Sequence, residues 1–574
     1  MKILLNISLK RILYIIGCLI LITSLTLPPV VMGQDSSESG TIPTIRPMAE
    51  DGLYNAYIPS ITKAFCEETA PSPFTVQIAG LSDFILTDGL TPVEVDQMKA
   101  VQLAEYNDAF PAMVQAVGES GAGWARVYID WSAIQPIDPA GGPPTYNWTS
   151  YDNWMSQVIS ESVQIIATVS NPPEWAAVDK SPSDTCTNMI RSDKVTDFYN
   201  FLTELVNRYK AAPYNVHAWE MLNEPDAING YRCNSGVSNY GNYGAEYASL
   251  MQSAYLTVKT ADPASKVIMG GIANDLFYLP YDDNQYFDGS LAGKFNRYFI
   301  DDIMVGGAAS NLDAVNFHYF QDFAPEWERW TVGGDGPPTC GNIRTPGGTP
   351  YNVYGLDLVA KGSHFLNRLN TCFNVNLPLW VTEVGMHGID PESPYMDEEL
   401  QARYDAGQTL ENQARYVFKV YSRGLSLGAE IITWYAIKII PDVTPGDFQG
   451  LVYDSRDGAK EDLPKPAFYA FQTLAQELKG FTFEETFTDT LSVDAYSFTS
   501  PCQGTKIVAW VNEDSTVYYT LNDVASIQLV YRPLAVGVQD VTIFDGDVND
   551  LDLTVNGSIT FLLGVEPVII HPNP

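Results

Sequence analysis

Basic residues are scarce in this chain. Its 574 residues include 32 Lys and Arg against 69 Asp and Glu, which gives a net charge of −37 at pH 7. A surface this acidic repels phosphate groups, so the composition argues against nucleic acids and anionic membranes as partners. Metal-binding patterns are absent as well, because no Cys-x-x-Cys or His-x-x-x-His spacing occurs. The sequence therefore predicts no metal site.

Long apolar runs are absent beyond the N-terminus. The run at residues 12–27 follows two basic residues and precedes the small-residue site Val31-Met32-Gly33, an arrangement typical of a cleaved signal peptide. The run is short for a bilayer span of about 20 residues, although an uncleaved anchor stays an alternative. We predict a signal peptide over residues 1–33 and a secreted or cell-surface protein with no membrane partner after cleavage.

What the sequence does contain is a regular rhythm of short and long apolar patterns. Eight short apolar or β-branched runs alternate with longer segments whose apolar residues recur every three or four positions, as in amphipathic helices. Strands that alternate with helices require a parallel sheet, and eight such units predict a closed (β/α)8 TIM barrel over residues 71–480. The predicted strands are residues 75–79, 124–129, 164–169, 216–222, 267–272, 314–320, 379–384 and 431–437.

A doubly wound open sheet is the alternative to the barrel. It is disfavoured because no Gly-rich turn follows the first run to receive a nucleotide phosphate. After residue 480 the pattern changes to seven short alternating runs separated by Asp, Asn and Gly turns. This pattern predicts an all-β sandwich over residues 481–574, without an obvious catalytic cluster.

The segments outside these domains carry fewer signals. Residues 34–70 are rich in Ser, Thr, Pro and Glu and are predicted to form an extended leader. Signal cleavage would remove three basic residues and no acidic one, which changes the net charge from −37 to −40, and would leave six of the 7 cysteines. An even count in an exported protein favours disulfides. We expect Cys186 to pair with Cys233 and Cys340 with Cys372, because each pair would lie in neighbouring loops.

Two glutamates stand where predicted barrel strands end. Glu224 follows the fourth strand just before Pro225, which cannot extend a β-ladder, and Glu383 ends the seventh strand before Gly385. Barrel enzymes carry their chemistry at the C-terminal ends of strands, and two ends that are three strands apart can face each other across the mouth. A carboxyl that donates a proton and a carboxylate that attacks the anomeric carbon are the pair that glycosidic bond cleavage requires.

The phrases around these glutamates resemble a known group, the retaining (β/α)8 glycoside hydrolases of clan A. The phrase Trp219-Glu-Met-Leu-Asn-Glu-Pro225 is similar to their acid/base motif on the fourth strand, and Val381-Thr-Glu383 to their nucleophile motif on the seventh. The phrases Gly123 to Pro136 and Asn171 to Ala176 resemble the family 39, family 42 and family 5 branches. The resemblance extends over residues 75–480.

This resemblance implies roles for individual residues. Glu224 would be the acid/base, Glu383 the nucleophile, and Asn223 the ligand of the sugar 2-hydroxyl, while Arg126 would pair with Glu383 and favour its ionised form. Glu220 receives no role, because the alternation of the strand places it on the other face.

Four further residues are expected to bind substrate. Trp434 at the end of the eighth strand would offer a flat face to a sugar ring, and Trp175 and His318 would line the site. The clan carries a tyrosine two residues after this histidine, but Phe320 occupies that position here. Tyr319 should then face the other way in a regular strand, so it contacts the nucleophile only if a bulge re-aims it.

The sequence thus favours an exported retaining β-glycosidase that acts on β-linked oligo- or polysaccharides without a cofactor. Double displacement predicts carboxyl groups about 5 to 5.5 Å apart. The alternative is a non-catalytic carbohydrate-binding or adhesive protein on a glycosidase-like barrel. The sugar, the linkage and endo or exo action stay open.

Overall fold

The computed structural model describes ten stretches of the chain, and all structural statements below concern these residues. The predicted signal peptide, the leader and Cys186, Cys233 and Cys340 lie outside them, so the signal, the leader and both disulfide pairs stay predictions. The stretches are residues 72–78, 92–178, 189–228, 240–273, 295–296, 298–320, 358–439, 447–489, 492–512 and 515–574.

Eight parallel strands form the N-terminal sheet, in the order β5-β4-β3-β2-β1-β8-β7-β6. The two end strands are joined by the parallel bridges Ile268 to Ala314 and Ile272 to Phe317, so the sheet closes into a barrel. The predicted TIM barrel is confirmed. The strands are β1 Phe74–Gln77, β2 Trp124–Asp130, β3 Gln164–Ser170, β4 Ala218–Met221, β5 Lys266–Met269, β6 Val315–Phe320, β7 Leu379–Gly385 and β8 Ala429–Trp434.

Helices cover the outside of the barrel because each carries one apolar face. In Val195–Tyr209 the buried residues Phe198, Phe201, Leu202 and Leu205 recur at three- and four-residue spacing and pack on the sheet. The helices are α1 Pro92–Ser120, α2 Trp131–Ile134, α3 Thr149–Ser160, α4 Val195–Tyr209, α5 Gly244–Ala261, α6 Phe299–Val305, α7 Leu358–Phe373, α8 Glu398–Asp405, α9 Leu410–Ser426 and α10 Pro466–Glu477, with 3-10 turns at Ala308–Asn311 and Ser455–Lys460. Among the described residues, none of these helices is long and apolar enough to cross a membrane.

The barrel interior changes from apolar to polar along the strands. The lower layer is a separate apolar cluster with one residue from, or next to, each of seven strands. Side chains alternate along a strand, so the next inward residue lies two positions further on. The lower layer comprises Trp124, Ile166, Ala218, Ile268, Ala314, Trp380 and Ile431, and the polar residues two positions above it include Arg126, Thr168, Glu220, Asn316 and Thr382, all buried. The polar layer lies under the barrel mouth.

The C-terminal residues form the expected β domain. A six-stranded antiparallel sheet in the order β14-β13-β16-β11-β10-β9 and a two-stranded sheet β12-β15 enclose one apolar core. This arrangement confirms the predicted sandwich and adds one strand, β9, that the sequence pattern missed. The strands are β9 Thr482–Asp489, β10 Val493–Ser500, β11 Gly504–Val511, β12 Val517–Asn522, β13 Ser526–Val530, β14 Val541–Phe544, β15 Ser558–Leu563 and β16 Val568–Asn573.

The large sheet of the sandwich packs against the barrel helices. Tyr496, Phe498 and Trp510 on its outer face belong to the same apolar core as the barrel. Arg423 of α9 donates to Asp494 of β10 at 2.8 Å, and both side chains are almost fully buried. The sandwich is thus attached by apolar packing and by a buried ion pair.

A second polar contact between sandwich and barrel should make stability depend on pH. His571 Nε2 and Lys506 Nζ lie 2.8 and 2.7 Å from Glu477 Oε2, and these contacts, His571 first, lower the pKa of Glu477 to about 2. A lowered carboxyl pKa stabilises the fold above the unfolded-state pKa and loses this effect as pH falls toward 2. We expect Glu477→Gln to lower the unfolding temperature at pH 7 and the difference from the native protein to shrink between pH 4.5 and pH 2. Thermal melts at several pH values would measure this, and a difference that is constant over pH would contradict it.

Candidate active site

Arg126 is the centre of the polar layer. Its side chain is fully buried, and it donates through Nε to Glu220 Oε2 at 2.7 Å, through Nη1 to Glu383 Oε1 at 2.6 Å and through Nη2 to Asn223 Oδ1 at 2.9 Å. A further bond from Nη1 reaches Gln77 Oε1 at 2.6 Å. The guanidinium of Arg126 therefore links β1, β2 and β7 by hydrogen bonds to the residues at the end of β4.

Glu220 is the second buried charge, and the prediction that it has no role in the site is wrong. Its two oxygens accept four hydrogen bonds, Oε2 from Arg126 Nε and from Thr168 Oγ1 at 2.6 Å, and Oε1 from Asn316 Nδ2 and from Thr382 Oγ1, both at 2.8 Å. A carboxylate can accept about four bonds, so this one is fully satisfied. Glu220 faces the barrel interior, like Ala218 in the layer below.

For Arg126 and Glu220, the attraction between opposite charges changes the pKa more than burial does. Burial alone would lower the pKa of Arg126, but Glu220, Tyr128 and Glu383 raise it well above its ordinary value. Burial alone would raise the pKa of Glu220, but the charge and hydrogen bond of Arg126 lower it. Both groups are therefore ionised, which keeps a fixed ion pair beneath the mouth.

Glu383 reaches the interior because β7 contains a bulge. Phe317 of β6 pairs with Val381, and the next pair is His318 with Glu383, so Thr382 has no partner in the register. The irregularity lets two successive side chains point inward. Thr382 faces Glu220 and Asn316, while Glu383 Oε1 receives Arg126 Nη1 at 2.6 Å and the hydroxyl of Tyr128 at 3.1 Å.

Glu224 lies beyond the end of β4 on a sharply turned segment. Leu222 and Glu224 have φ angles of 67° and 42°, a left-handed conformation that non-glycine residues adopt rarely. The turn and Pro225 bring the Glu224 carboxyl back over the mouth, where it is 8% exposed. Glu224 thus lies three residues after the last residue of β4, Met221.

His318 joins the two predicted catalytic carboxylates. Its Nδ1 lies 3.2 Å from Glu224 Oε1 and 3.3 Å from Glu383 Oε2, and its Nε2 lies 3.1 Å from Thr382 Oγ1. The ring fits because Gly271 has no side chain: a Cβ there would lie 2.1 Å from both Cδ2 and Nε2 of His318. The backbone of the β5 end thus fixes the plane of the imidazole.

Five of the eight predicted site residues come together in this cluster. Hydrogen bonds or ion pairs connect Arg126, Asn223, Glu224, His318 and Glu383. Their approach requires the barrel to close, because they come from segments as much as 257 positions apart.

Tyr319 and Trp434 lie elsewhere. Tyr319 points away from the mouth, as expected for a regular strand, so it does not line the site, and the placement of Trp434 corrects its expected contact with a sugar. Tyr319 is fully buried in the outer core between sheet and helices, and Tyr128 of β2 supplies the hydroxyl on Glu383 instead. Trp434 is also 0% exposed and faces outward, and its ring centre lies 6.3 Å from that of Tyr416 in α9. It therefore offers no face to a sugar. The next residue, Tyr435, is half-buried, and its ring packs edge-to-face with that of Phe320, with ring centres 5.9 Å apart.

Trp175 lies in the loop after β3 and is half-buried. Its indole N–H donates to the Gln135 carbonyl at 3.2 Å, its ring meets Trp131 edge-on at 5.4 Å, and Lys194 Nζ lies 5.0 Å from the ring centre. These contacts hold the ring in place on the β2 and β3 side of the mouth. A substrate-binding role for Trp175 stays a prediction.

Sequence reasoning missed the residues that hold the cluster from below, namely Gln77, Tyr128, Thr168, Glu220, Asn316 and Thr382. The sequence did contain a signal for these residues. A polar residue within an otherwise apolar strand must find a hydrogen-bond partner inside the barrel. Arg126, Thr168, Glu220 and Asn316 share this feature.

The atoms that Glu224, His318 and Glu383 direct at each other all lie within 4.8 Å, a spacing that a cation could bridge. Positive charge is already present, however, because Arg126 lies 2.6 Å from Glu383.

The described fold is similar to that of solved glycoside hydrolases. A family 39 glycoside hydrolase from the gut symbiont Bacteroides cellulosilyticus WH2 matches with a TM-score of 0.54 and 17% identity, over 88% of this chain and 82% of that chain. A family 30 endoxylanase from Clostridium papyrosolvens C71 matches with a TM-score of 0.51 and 14% identity, over 88% and 97%. The catalytic domain of family 30 xylanase C from Talaromyces cellulolyticus matches with a TM-score of 0.52 and 13% identity, over 88% of this chain and 96% of that chain.

The barrel shares its fold with these solved glycoside hydrolases. At identities of 13–17% the similarity concerns the fold alone, and at that level it confirms the predicted resemblance. No protein-family model matches the sequence, and no curated protein matches it significantly.

Proposed function

We propose that this protein is an exported retaining β-glycosidase that hydrolyses O-glycosidic bonds of β-linked oligo- or polysaccharides. The observation that carries the proposal is the pair Glu224 and Glu383, whose facing oxygens lie within 4.8 Å of each other at the mouth of the barrel. Retaining enzymes have carboxyl groups about 5 to 5.5 Å apart, whereas inverting enzymes need about 6.5 to 9.5 Å to admit a water. The approach of one oxygen from each carboxylate within 4.8 Å fits the shorter, retaining separation better than the longer one, which supports double displacement.

In this mechanism Glu383 attacks the anomeric carbon while Glu224 donates a proton to the leaving oxygen. Arg126 and Tyr128 donate to Glu383 Oε1 and so fix the orientation of the carboxylate that acts as the nucleophile. Water then attacks the glycosyl-Glu383 ester, and Glu224 takes a proton from that water. Asn223, fixed by Arg126 Nη2 at 2.9 Å, is positioned for the sugar 2-hydroxyl.

A screen for turnover followed by trapping of the intermediate tests this function. Aryl β-glycosides and polymeric β-glycans should be compared, with xylans included because two proteins of similar fold are xylanases. A 2-deoxy-2-fluoro glycoside of the active sugar should then label one peptide, the one that contains Glu383. Binding of glycans without turnover of any of them would instead favour the alternative, a carbohydrate-binding protein on a glycosidase-like barrel.

Export, disulfide bonding and the division into a barrel at 71–480 and a sandwich at 481–574 belong to the same proposal. N-terminal sequencing of the protein recovered from a culture medium should begin at Gln34. Mass mapping without reduction would test the pairs Cys186 with Cys233 and Cys340 with Cys372.

The contact between Gly271 and His318 gives a local test of the site. We expect Gly271→Ala to lower the hydrolysis rate by about 100-fold, because a displacement of roughly 1 Å at a catalytic group has effects of this size and the new Cβ would overlap the imidazole. The measurement is kcat/KM on the best aryl glycoside. Gly564→Ala in the sandwich is a matched control, since its Cβ would make an ordinary contact with Thr516 at 3.7 Å. Equal rates for both variants would contradict the proposed position of His318.

A further inference from the structure

Thr382 fixes which nitrogen of His318 carries a proton. Its hydroxyl oxygen has three neighbours: Glu220 Oε1 at 2.8 Å, Asn316 Nδ2 at 2.7 Å and His318 Nε2 at 3.1 Å. A hydroxyl has one hydrogen and two acceptor lone pairs. Glu220 is ionised and accepts only, so the hydroxyl hydrogen must point to it.

The hydroxyl hydrogen is then not available to the other two neighbours, which face the lone pairs of Thr382. The orientation of the Asn316 amide is settled, because its Oδ1 accepts from the Thr382 backbone N–H at 3.1 Å. Its Nδ2 therefore faces the hydroxyl at 2.7 Å, and also Glu220 Oε1 at 2.8 Å and the Met269 carbonyl at 3.1 Å. The remaining lone pair of Thr382 faces His318 Nε2. This nitrogen must carry a hydrogen.

The opposite nitrogen, Nδ1, then faces two carboxylates. If His318 were neutral, the lone pair of Nδ1 would point at Glu224 Oε1 and Glu383 Oε2, at 3.2 and 3.3 Å. Three acceptors would meet at a histidine whose side chain is 1% exposed, which is unfavourable without a hydrogen between them. Glu383 receives its hydrogen bonds at the other oxygen, from Arg126 and Tyr128.

We propose that His318 and Glu224 share one proton. A chain of hydrogen bonds from Glu220 through Thr382 to His318, called the relay below, keeps this proton next to Glu224, the acid/base. His318 is thus a positioning residue that acts through Glu224, and the inference rests on the proposed function. The proton lies between Nδ1 and Glu224 Oε1 until the leaving oxygen takes it as the glycosidic C–O bond breaks and the bond to Glu383 forms. The water that hydrolyses the ester returns a proton to Glu224 while its oxygen bonds to the anomeric carbon.

Charged groups surround His318 on several elements. Glu224 follows β4 and Glu383 lies on β7, while Glu220 of β4 acts through Thr382. Lys361 of α7 donates from Nζ to the His318 carbonyl at 2.6 Å, so its charge lies on the backbone side of the residue. The neighbouring end of β5 contributes Gly271, which carries no charge.

Nitrogen NMR of the intact protein tests the proton positions without any substrate. The chain has 5 histidines, so the resonances of His318 can be assigned in 15N-histidine protein by their loss in His318→Gln. We expect a protonated Nε2 at every pH at which the protein is folded. In Glu224→Gln the new amide can donate to Nδ1, so His318 should become neutral and its Nδ1 shift should change. A hydrogen on Nδ1 alone, or shifts that Glu224→Gln leaves unchanged, would overturn the inference but not the glycosidase function.

The pH profile separates this role from a purely structural one. In Thr382→Val the Nε2 hydrogen loses its acceptor, so neutral His318 can place its hydrogen on Nδ1 and Glu224 no longer has to hold a proton. The alkaline limb of kcat/KM for a substrate with a poor leaving group should then move to lower pH, with a loss on the order of tenfold on that limb. Thr382→Ser keeps the hydroxyl and should restore the native profile. A loss that is equal at all pH values and for good and poor leaving groups would contradict the relay.

Discussion

Replacing Glu383 by alanine should reduce hydrolysis by about 10⁴-fold or more, since loss of a nucleophile removes the covalent pathway. The structure adds a specific consequence, because Arg126 and Tyr128 both hold Glu383 Oε1 and would frame an anion-sized space in the variant. We therefore expect azide to restore turnover of an activated aryl glycoside and to yield a glycosyl azide of inverted configuration. Rate measurements with and without azide, and product analysis by NMR, provide the data.

The matched control for this variant is Glu485→Ala, which removes an exposed glutamate on β9 of the sandwich and should leave the rate unchanged. Binding of the reaction product to Glu383→Ala should remain measurable, since Asn223 and His318 are intact. A variant that hydrolyses substrate at the native rate would show that Glu383 is not the nucleophile.

Replacing Glu220 by alanine should lower the free energy of unfolding by about 3 to 5 kcal/mol, the usual effect of removing one partner of a buried ion pair. Four donors lose their acceptor at once, and the Arg126 guanidinium keeps only one carboxylate. Denaturant unfolding, followed by the fluorescence of the barrel tryptophans, measures this change. The variant should also lose activity, because Arg126 is no longer fixed beneath Glu383.

A double variant separates the two effects. Arg126→Met combined with Glu220→Leu removes both charges and replaces them with apolar groups of similar volume, which is often neutral for stability. We expect this variant to be more stable than Glu220→Ala but equally inactive, because Glu383 then lacks its guanidinium partner. A double variant less stable than Glu220→Ala would show that the ion pair is not the main interaction at this position.

Much of the fold could be predicted because its signals are local. The eight apolar runs and the amphipathic segments between them depend on residue spacing within each element, and α4 coincides with its segment at Val195–Tyr209. The ends of β4 and β7 could also be predicted to within a few residues, since Pro225 cannot extend a β-ladder and Gly385 allows a sharp exit, and the two strands end at Met221 and Gly385. Glu224 and Glu383 were found for that reason.

Which side of a strand faces the interior could not be predicted reliably. Strands of a parallel barrel are buried on both faces, so they lack the alternation of apolar and polar residues that marks an exposed face. Trp219 and Glu220 are both 0% exposed although they point to opposite sides. The same ambiguity led to the wrong placement of Trp434, which points into the helical layer.

The sequence by itself determined the barrel, the sandwich and the two strand ends that carry Glu224 and Glu383, because these depend on residues that are neighbours in the chain. Only the tertiary structure decided what surrounds those glutamates. The bulge at Thr382, the choice of Tyr128 over Tyr319 as the partner of Glu383, and the central place of Glu220 depend on register and on hydrogen bonds between distant strands. Such contacts exist only after the barrel closes, since a buried polar group selects its partner by distance in space and not by position in the chain.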